Sequence, residues 1–234
     1  MAQPPAAAPD MLLPSSRPAI VAPTLGAVDL GGQRGERSLF RRLALSLRSG
    51  QVTWLRGRNG RGKTSLLRLL AGLSTPAHGD VLIDGRPLRK LPVEWRSKLL
   101  YIAHANALKD DLSVAESLRF LSQLRGAPAA DEAITGALAR LGMAGMRKAP
   151  VRTLSQGQRR RVALARLALP DPAAIWLLDE PFDALDVDGV QVLNDLLSEQ
   201  ARRGGSVLLT SHQALSLADP LPSTLDLDEY AVAR

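Results

Sequence analysis

The segment Gly57-Arg58-Asn59-Gly60-Arg61-Gly62-Lys63-Thr64 matches the complete phosphate-binding P-loop pattern, in which glycines precede a lysine and a hydroxyl residue. A strand-like run at 51–56 leads into it, and helix-like sequence at 64–71 follows it. In this context the backbone N–H groups of the loop and the positive N terminus of the helix can both face a phosphate. We expect Lys63 to reach the β- and γ-phosphates of a nucleotide and the hydroxyl of Thr64 to bind Mg²⁺.

The sequence around this loop alternates between strand-like and helical segments. Apolar runs at 173–178 and 206–210 are typical of strands buried on both faces of a parallel sheet. A shorter run at 81–83 ends in Asp84-Gly85, a hairpin turn signal. Helical spacing extends over 113–148, with breaks at Gly126-Ala127-Pro128 and Gly142, and recurs at 193–203. The alternation predicts an α/β fold with a mainly parallel sheet.

Polar residues follow two of the predicted buried strands. Asp179 and Glu180 come directly after the run at 173–178, where Asp179 could hold Mg²⁺ and Glu180 could polarise a water for attack on a γ-phosphate. His212 follows the run at 206–210, as either a γ-phosphate sensor or a surface or capping residue. Trp176, within the first run, is predicted to belong to the core.

A second helix start is predicted at Leu154-Ser155-Gln156-Gly157-Gln158. Ser155 and Gln158 match the S-x-x-Q capping box. Gly157 leaves space for an anion beside the helix N terminus, which would make this segment a second phosphate site, although a simple helix cap explains the same residues. One γ-phosphate does not need two helix N termini from one chain, so the segment suggests a composite site built from two chains.

Composition limits the classes of protein to which the chain can belong. Its 234 residues fit one large α/β domain, and the absence of cysteine excludes disulfides and thiolate metal sites. A net charge of +7 suits anionic ligands, nucleic acid or an anionic membrane surface, and an arginine-rich soluble surface explains it equally well. No apolar run approaches the ~18 residues of a spanning helix. Residues 1–24, rich in alanine and proline, are predicted to be a disordered extension, with Met11 as a candidate start.

In their order, these motifs resemble the nucleotide-binding domain of ABC transporters over residues 25 to about 212. The resemblance implies a P-loop domain at 25–234, with a mainly parallel core sheet, an antiparallel β subdomain and a helical subdomain inserted at about 107–168. It also implies that the domain binds ATP and Mg²⁺, and that a second copy of the chain completes each ATP site.

The resemblance implies a role for each motif. Glu180 is the implied catalytic base and His212 the switch histidine, while Asp186 belongs to the D-loop. Mg²⁺ is held by Thr64 and Asp179. ATP is bound by the Walker A residues Gly57, Arg58, Asn59, Gly60, Arg61, Gly62, Lys63, Thr64 and Ser65. The ATP of the partner chain is contacted by the signature residues Ser155, Gln156, Gly157 and Gln158.

Longer stretches narrow the resemblance to the ATPases of the bacterial haem exporter complex for cytochrome c maturation; they lie at 99–104, 108–109, 115–120, 159–167 and 180–190. This implies that ATP hydrolysis drives haem export or handover at the cytoplasmic face of the inner membrane. Integral membrane subunits are the implied partners, with a haem chaperone as an indirect one, and no nucleic acid is expected.

Three alternatives to haem export remain open at this point. The chain could be the ATPase of another small-substrate transporter. A nucleic-acid-associated ABC ATPase would suit the basic charge, but such proteins usually carry two ATPase domains or long coiled coils. A regulatory module without activity is the third, and the intact set of Lys63, Asp179 and Glu180 argues against it.

The chain departs from the family pattern at three positions. His104 stands where most members have the Q-loop glutamine, and we expect it to serve catalysis because neutral imidazole can also accept a hydrogen bond or bind a metal. The aromatic residue that usually stacks on adenine is not evident, and Arg34 or Phe40 is expected to replace it. Arg61 stands where a small residue is common.

Overall fold

Five parallel strands form the central sheet. The computed structural model describes residues 24–170 and 173–232, so residues 1–23 of the predicted extension, with Met11, lie outside the described residues. The strands are β3 (Val52–Arg56), β6 (Leu99–Ile102), β7 (Ile175–Leu178), β8 (Ser206–Thr210) and β9 (Ser223–Asp226). They have the order β6-β7-β8-β3-β9, and every neighbouring pair is parallel. The predicted parallel core is confirmed, and the carboxyl ends of its strands meet at one edge.

The second sheet is antiparallel, as the resemblance implied. Its strands are β1 (Leu25–Arg34), β2 (Arg37–Leu47), β4 (His78–Ile83) and β5 (Arg86–Pro87), in the order β2-β1-β4-β5. β4 and β5 pair across the turn Asp84-Gly85, where Ile83 faces Arg86. Both turn residues have positive φ, 49° and 73°, as a type I′ turn requires. The predicted hairpin is confirmed.

Five α-helices cover the central sheet in the described part of the chain. They are α1 (Lys63–Leu70), α2 (Val114–Leu124), α3 (Asp131–Arg140), α4 (Gln156–Ala165) and α5 (Val187–Arg202). None of the helices in the described ranges is long and apolar enough to cross a membrane.

The central sheet separates two apolar cores. Ile175 and Leu177 of β7 pack with α1 and the antiparallel sheet. Trp176 and Leu178 pack with α2 to α5 on the opposite face, so Trp176 belongs to the core as predicted. Burial on both faces explains why β7 is apolar throughout. Because α2, α3 and α4 share their core with the sheet, the bounds of a separate helical subdomain, about 107–168, stay a prediction.

The main error in element bounds concerns α5. The helix predicted at 193–203 begins at Val187, six residues earlier. The side chain of Asp186 caps it by accepting a hydrogen bond from the N–H of Gly189 at 2.9 Å. An aspartate three residues before that N–H is a helix-start signal, which the leucine spacing alone did not reveal. The predicted breaks at Gly126 and Gly142 are confirmed, since both have positive φ outside the helices.

Phe40 cannot stack on adenine, and this part of the prediction is wrong. Its side chain is fully buried in the core that joins the antiparallel sheet to α1. The ring occupies the space beside Gly32, where an added Cβ would lie 2.4 Å from Phe40 Cζ. The ring of Phe40 therefore packs in the core. Of the two residues predicted to contact adenine, only Arg34 remains a candidate.

Candidate functional site

The P-loop joins β3 to α1 and depends on glycine for its path. Gly57, Gly60 and Gly62 have φ of 140°, 76° and 104°, a region that residues with a Cβ rarely adopt. Gly62 is the N-cap of α1, and because glycine has no side chain the cap itself does not compete for the first N–H groups of the helix. The ammonium group of Lys63 donates to the carbonyl of Gly57 at 2.8 Å, across the mouth of the loop. The loop therefore has the donors and the shape that a phosphate requires.

Asp228, far from the P-loop in sequence, holds this loop in place through two contacts. Asp228 accepts from the backbone N–H of Arg58 at 3.1 Å, and its other oxygen lies 2.9 Å from Nε of Arg61. Partial desolvation would raise the pKa of Asp228, but the Arg58 N–H and the two guanidinium groups outweigh it and hold that pKa below its ordinary value. The ion pair with Asp228 thus gives Arg61 a structural role in holding the P-loop. Its predicted contact with ATP stays a prediction.

Two carboxylates stand at the end of β7. Asp179 and Glu180 are 2% and 8% exposed, which is rare for acidic side chains. The buried hydroxyl of Thr210, at the end of β8, donates to Asp179 Oδ1 at 3.0 Å and accepts from the N–H of Glu180 at 2.8 Å. Glu180 has φ +47°, a strained conformation of the kind that accumulates at functional sites. Burial and the charge of Asp179 also raise the pKa of Tyr101 to about 12, so this neighbour stays protonated.

The P-loop and the strand-end carboxylates line one cleft of about 490 Å³. Most of the predicted site residues meet there: Arg34, Arg58, Asn59, Gly60, Gly62, Lys63, Thr64, Ser65, His104, Asp179, Glu180 and His212. Gly57 and Arg61 do not line the cleft, whereas Arg37, Leu39 and Asp183 line it and were not predicted. Long-range folding therefore brings together residues up to 178 positions apart, from Arg34 to His212.

The two histidines of the cleft lie beside different carboxylates. His212 Nε2 is 3.7 Å from Glu180 Oε1, which is close enough for a charge interaction but too long for a hydrogen bond. His104 Nδ1 is 3.5 Å from Asp183 Oδ2, and both side chains are partly exposed. The predicted catalytic histidines are thus both placed at the acidic side of the cleft.

The signature segment lies elsewhere. Ser155 and Gln158 form the predicted capping box, with bonds of 3.2 Å and 2.9 Å, and α4 begins after them. None of the residues 155–158 lines the cleft of its own chain. Gly157 has a packing reason to be glycine, because an added Cβ would lie 2.8 Å from the carbonyl of Ala184. The predicted approach of an anion at Gly157 stays a prediction.

Asp186, the predicted D-loop residue, also lies outside the cleft. Besides capping α5, its carboxylate pairs with Arg161 of α4. The bond from the N–H of Gly189, and next the pairing with Arg161, lower the pKa of Asp186. The signature helix and the D-loop of one chain are therefore fastened to each other, and their predicted roles toward a second chain stay predictions.

The strand-end carboxylates fit a hard cation. Asp179 Oδ2 and Glu180 Oε2 are buried and accept no hydrogen bond from the described part of the protein. Thr64 lines the same cleft. Within the described residues, no three His, Asp or Glu side chains cluster so as to hold a metal by themselves. This donor set suits Mg²⁺, which commonly takes one or two protein ligands and completes its shell with phosphates and water.

Three residues that organise the site were not predicted. Thr210 and Asp228 act through contacts with residues 30 to 170 positions away. Arg160, in α4, is 3% exposed and donates to the main chain around Asp179 and Glu180. Only Thr210 had a sequence signal, as a polar residue at the end of a buried strand.

Known proteins share this fold and much of this sequence. The ABC transporter family matches residues 40–183. Relatives include the cytochrome c biogenesis ATP-binding export protein CcmA of Aromatoleum aromaticum, 46% identical over 209 residues that make up 89% of this chain and 97% of the relative. The protein of the same name from Pseudomonas fluorescens is 46% identical over 91% of this chain and 100% of the relative.

Two solved structures of ABC transporter ATP-binding proteins also match this chain. An ABC transporter ATP-binding protein from Pyrococcus furiosus matches with a TM-score of 0.77 and 27% identity, over 89% of this chain and 100% of the other. A bacterial ABC transporter cassette, solved as a dimer, matches with a TM-score of 0.69 and 25% identity, over 81% of this chain and 88% of the other. Each of these two matches thus extends over at least 81% of this chain.

Replacing His104 with glutamine tests its predicted catalytic role. A glutamine amide oxygen can accept a hydrogen bond or bind a metal, as the predicted role of His104 requires, whereas an alanine side chain can do neither. His104→Gln should therefore retain substantial turnover, and His104→Ala should lose most of it. The measurement is the initial rate of phosphate release at saturating ATP and Mg²⁺.

His212→Ala is the comparison, because His212 lies in the same cleft. It should lower turnover, as expected for a residue that contacts the reacting phosphate. If His104→Ala keeps wild-type turnover while His212→Ala loses it, His104 is a structural residue.

Proposed function

From the premise that this chain belongs to the ABC transporter family, which makes it an ATP-binding ATPase subunit, we propose that it drives haem export or handover in c-type cytochrome biogenesis. In this proposal it works at the cytoplasmic face of the bacterial inner membrane, as a dimer bound to integral membrane subunits, and it acts indirectly on a haem chaperone. The observation that carries the proposal is 46% identity, over almost the whole of both chains, to relatives named for cytochrome c biogenesis and export.

The cleft supports a division of labour in ATP hydrolysis. The P-loop N–H groups and Lys63 would bind the β- and γ-phosphates. Thr64 and Asp179 would hold Mg²⁺, which neutralises charge on the phosphates. Glu180, one of whose oxygens is buried and accepts no hydrogen bond from the described residues, would accept a proton from the attacking water. His212, 3.7 Å from Glu180, could then contact the γ-phosphate from the same side.

The position of the signature segment favours a composite site. Ser155 and its helix N terminus are well formed, yet they do not line the cleft of their own chain. A second copy could bring its signature to this cleft, so that each ATP is held by the P-loop of one chain and the signature of the other. A match to a cassette that was solved as a dimer agrees with this arrangement.

Glu180→Gln tests the proposed catalytic base. Glutamine preserves the size of the side chain but cannot take up a proton, so kcat should fall by about 10²–10⁴-fold while ATP still binds. Lys63→Ala, the matched comparison, should instead weaken ATP binding itself, since it removes a charged phosphate donor. Equilibrium binding of a fluorescent ATP analogue and steady-state turnover separate the two effects. Wild-type turnover in Glu180→Gln would refute the assignment.

Mixed dimers test the composite site. Lys63→Ala removes a P-loop function, and Ser155→Arg blocks a signature, so each variant alone should be inactive. An equimolar mixture should recover about one quarter of wild-type activity, because about half of randomly formed dimers are mixed and each has one intact site. The activity of the mixture should also fall on dilution as dimers separate. Two inactive variants that stay inactive when mixed, although dimers form, would count against sharing.

Complementation and purification together test the role in haem export. In a native host that lacks this chain, the wild type should restore c-type cytochromes, detected by haem staining, and Glu180→Gln should not. Tagged Glu180→Gln purified from membranes should retain integral membrane subunits and haem. Wild-type levels of c-type cytochromes in the host without the chain would point instead to another small-substrate transporter.

A further inference from the structure

Arg160 occupies an unusual position for an arginine. It is the fifth residue of α4 (Gln156–Ala165), and its side chain is almost completely buried behind the carboxylates of the cleft. Its neighbours Arg159 and Arg161 each pair with an exposed carboxylate, Asp110 and Asp186 respectively, as well as donating to a single main-chain carbonyl. The difference is therefore that Arg160 is buried and holds several main-chain carbonyls at once.

The hydrogen bonds of Arg160 account for every N–H of its guanidinium. Nε donates to the carbonyl of Pro181 at 3.3 Å, and Nη2 donates to the carbonyls of Asp179 and Glu180 at 2.9 Å and 2.6 Å. Nη1 donates to the carbonyl of Ala103 at 3.0 Å and to Asn106 Oδ1 at 3.1 Å. A guanidinium has five N–H groups, and here each one has an acceptor. A lysine could not reproduce this fork.

These acceptors belong to the two segments that carry the chemistry. Asp179, Glu180 and Pro181 form the turn after β7, in which Glu180 holds the left-handed φ of +47°. The N–H of Glu180 is bound by Thr210 and its carbonyl by Arg160, so both ends of this strained residue are fixed. Ala103 and Asn106 flank His104 in the loop after β6.

The negative charges around Arg160 stabilise its buried guanidinium in the charged form. Desolvation lowers the pKa of its guanidinium, and the negative charges of Asp183, Asp179 and Glu180 oppose that shift. No carboxylate oxygen of these three is among its hydrogen-bond partners in the described structure, so the carboxylates stay available to the cleft. Arg160 itself does not line the cleft.

We propose that Arg160 is a positioning residue for hydrolysis: it holds the main chain of Glu180, and with it the carboxylate that would polarise the attacking water, and it fixes the His104 loop to the same strand end. This proposal rests on the proposed function, because it takes Glu180 as the catalytic base. In this proposal Arg160, the residue that orients the catalytic base, lies in α4, the helix that begins at the signature segment.

Arg160→Met is the first test, because methionine has a comparable length and no donors. We expect kcat to fall by about 10²-fold, the size of effect that a small misplacement of a catalytic group produces. Affinity for a fluorescent ATP analogue should change little, because no contact of Arg160 involves the P-loop. Arg160→Lys should give an intermediate kcat, and it carries the test if the methionine variant shows no cooperative thermal unfolding.

Arg159→Gln is the matched control, since it removes the neighbouring arginine of the same helix with its pairing to Asp110 and its weak bond, at 3.3 Å, to the carbonyl of Leu154. It should keep kcat within about twofold of the wild type, as expected for a partly exposed ion pair. A loss of kcat in Arg159→Gln as large as in Arg160→Met would show that α4 tolerates no change, and would overturn a specific role for Arg160.

A double-mutant cycle separates positioning of Glu180 from a general structural role. If Arg160 acts through Glu180, adding Arg160→Met to Glu180→Gln should not lower the residual single-turnover rate further. An independent, multiplicative loss would overturn the proposal. The proposed function fails separately, since in that case Glu180→Gln alone would retain wild-type turnover.

Mixed dimers with one intact site show in which chain Arg160 acts. When added to the Ser155→Arg chain, which supplies Lys63 and Glu180, Arg160→Met should lower the activity of the mixed dimer by about 10²-fold. It should leave most activity when added to the Lys63→Ala chain, which supplies the signature. An equal or greater loss from the signature-supplying chain would overturn positioning of Glu180 within one chain.

Discussion

The hydroxyl of Thr210 joins the ends of β7 and β8 at the place where the carboxylates stand. It donates to Asp179 and accepts from the N–H of Glu180, and it is completely buried. Strand pairing alone would fix the direction of β7 but not the turn that follows it. Because this hydroxyl uses both its donor and an acceptor lone pair, Asp179 and Glu180 keep one orientation relative to each other. The cleft, the proposed cation site and the proposed base all depend on that orientation, and so does the contact that Arg160 makes with the main chain of Asp179 and Glu180.

Local patterns predicted the features that local chemistry decides. The P-loop, the Asp84-Gly85 turn and the capping box at Ser155 each involve residues within a few positions of one another, and the structure contains all three. The parallel sheet was predictable because an apolar run such as β7 has few other stable environments. The roles at the cleft remain predictions for a different reason, since a fold places side chains together without showing what they do.

Features decided by distant contacts could not be predicted in this way. Whether Phe40 faces a ligand or the core depends on Gly32 and on α1, and no periodicity in β2 reveals it. Arg61 stands at a P-loop position where a small residue is common, and its partner, Asp228, lies 167 positions further along the chain. No local pattern could therefore predict this ion pair. In Arg159, Arg160 and Arg161 the residue type is the same, so only the tertiary structure distinguishes the two that pair with exposed carboxylates from the buried one that holds the main chain of Glu180.

The cleft is divided into a basic and an acidic side, and this division bears on how the two ligands would bind. Lys63 and Arg58 lie on the P-loop side, while Asp179, Glu180 and Asp183 lie on the strand-end side. Free ATP would bring negative charge close to the buried carboxylates, and a free cation would lie close to Lys63. A nucleotide and Mg²⁺ together match both sides, since the phosphates face the basic residues and the cation faces the acidic ones. Each ligand would therefore remove the main electrostatic cost of binding the other, which is a positive coupling between them. The same argument makes the orientation of Glu180 important in the proposed mechanism, because with Asp179 bound to the cation, Glu180 would be the neighbouring carboxylate still free to take a proton.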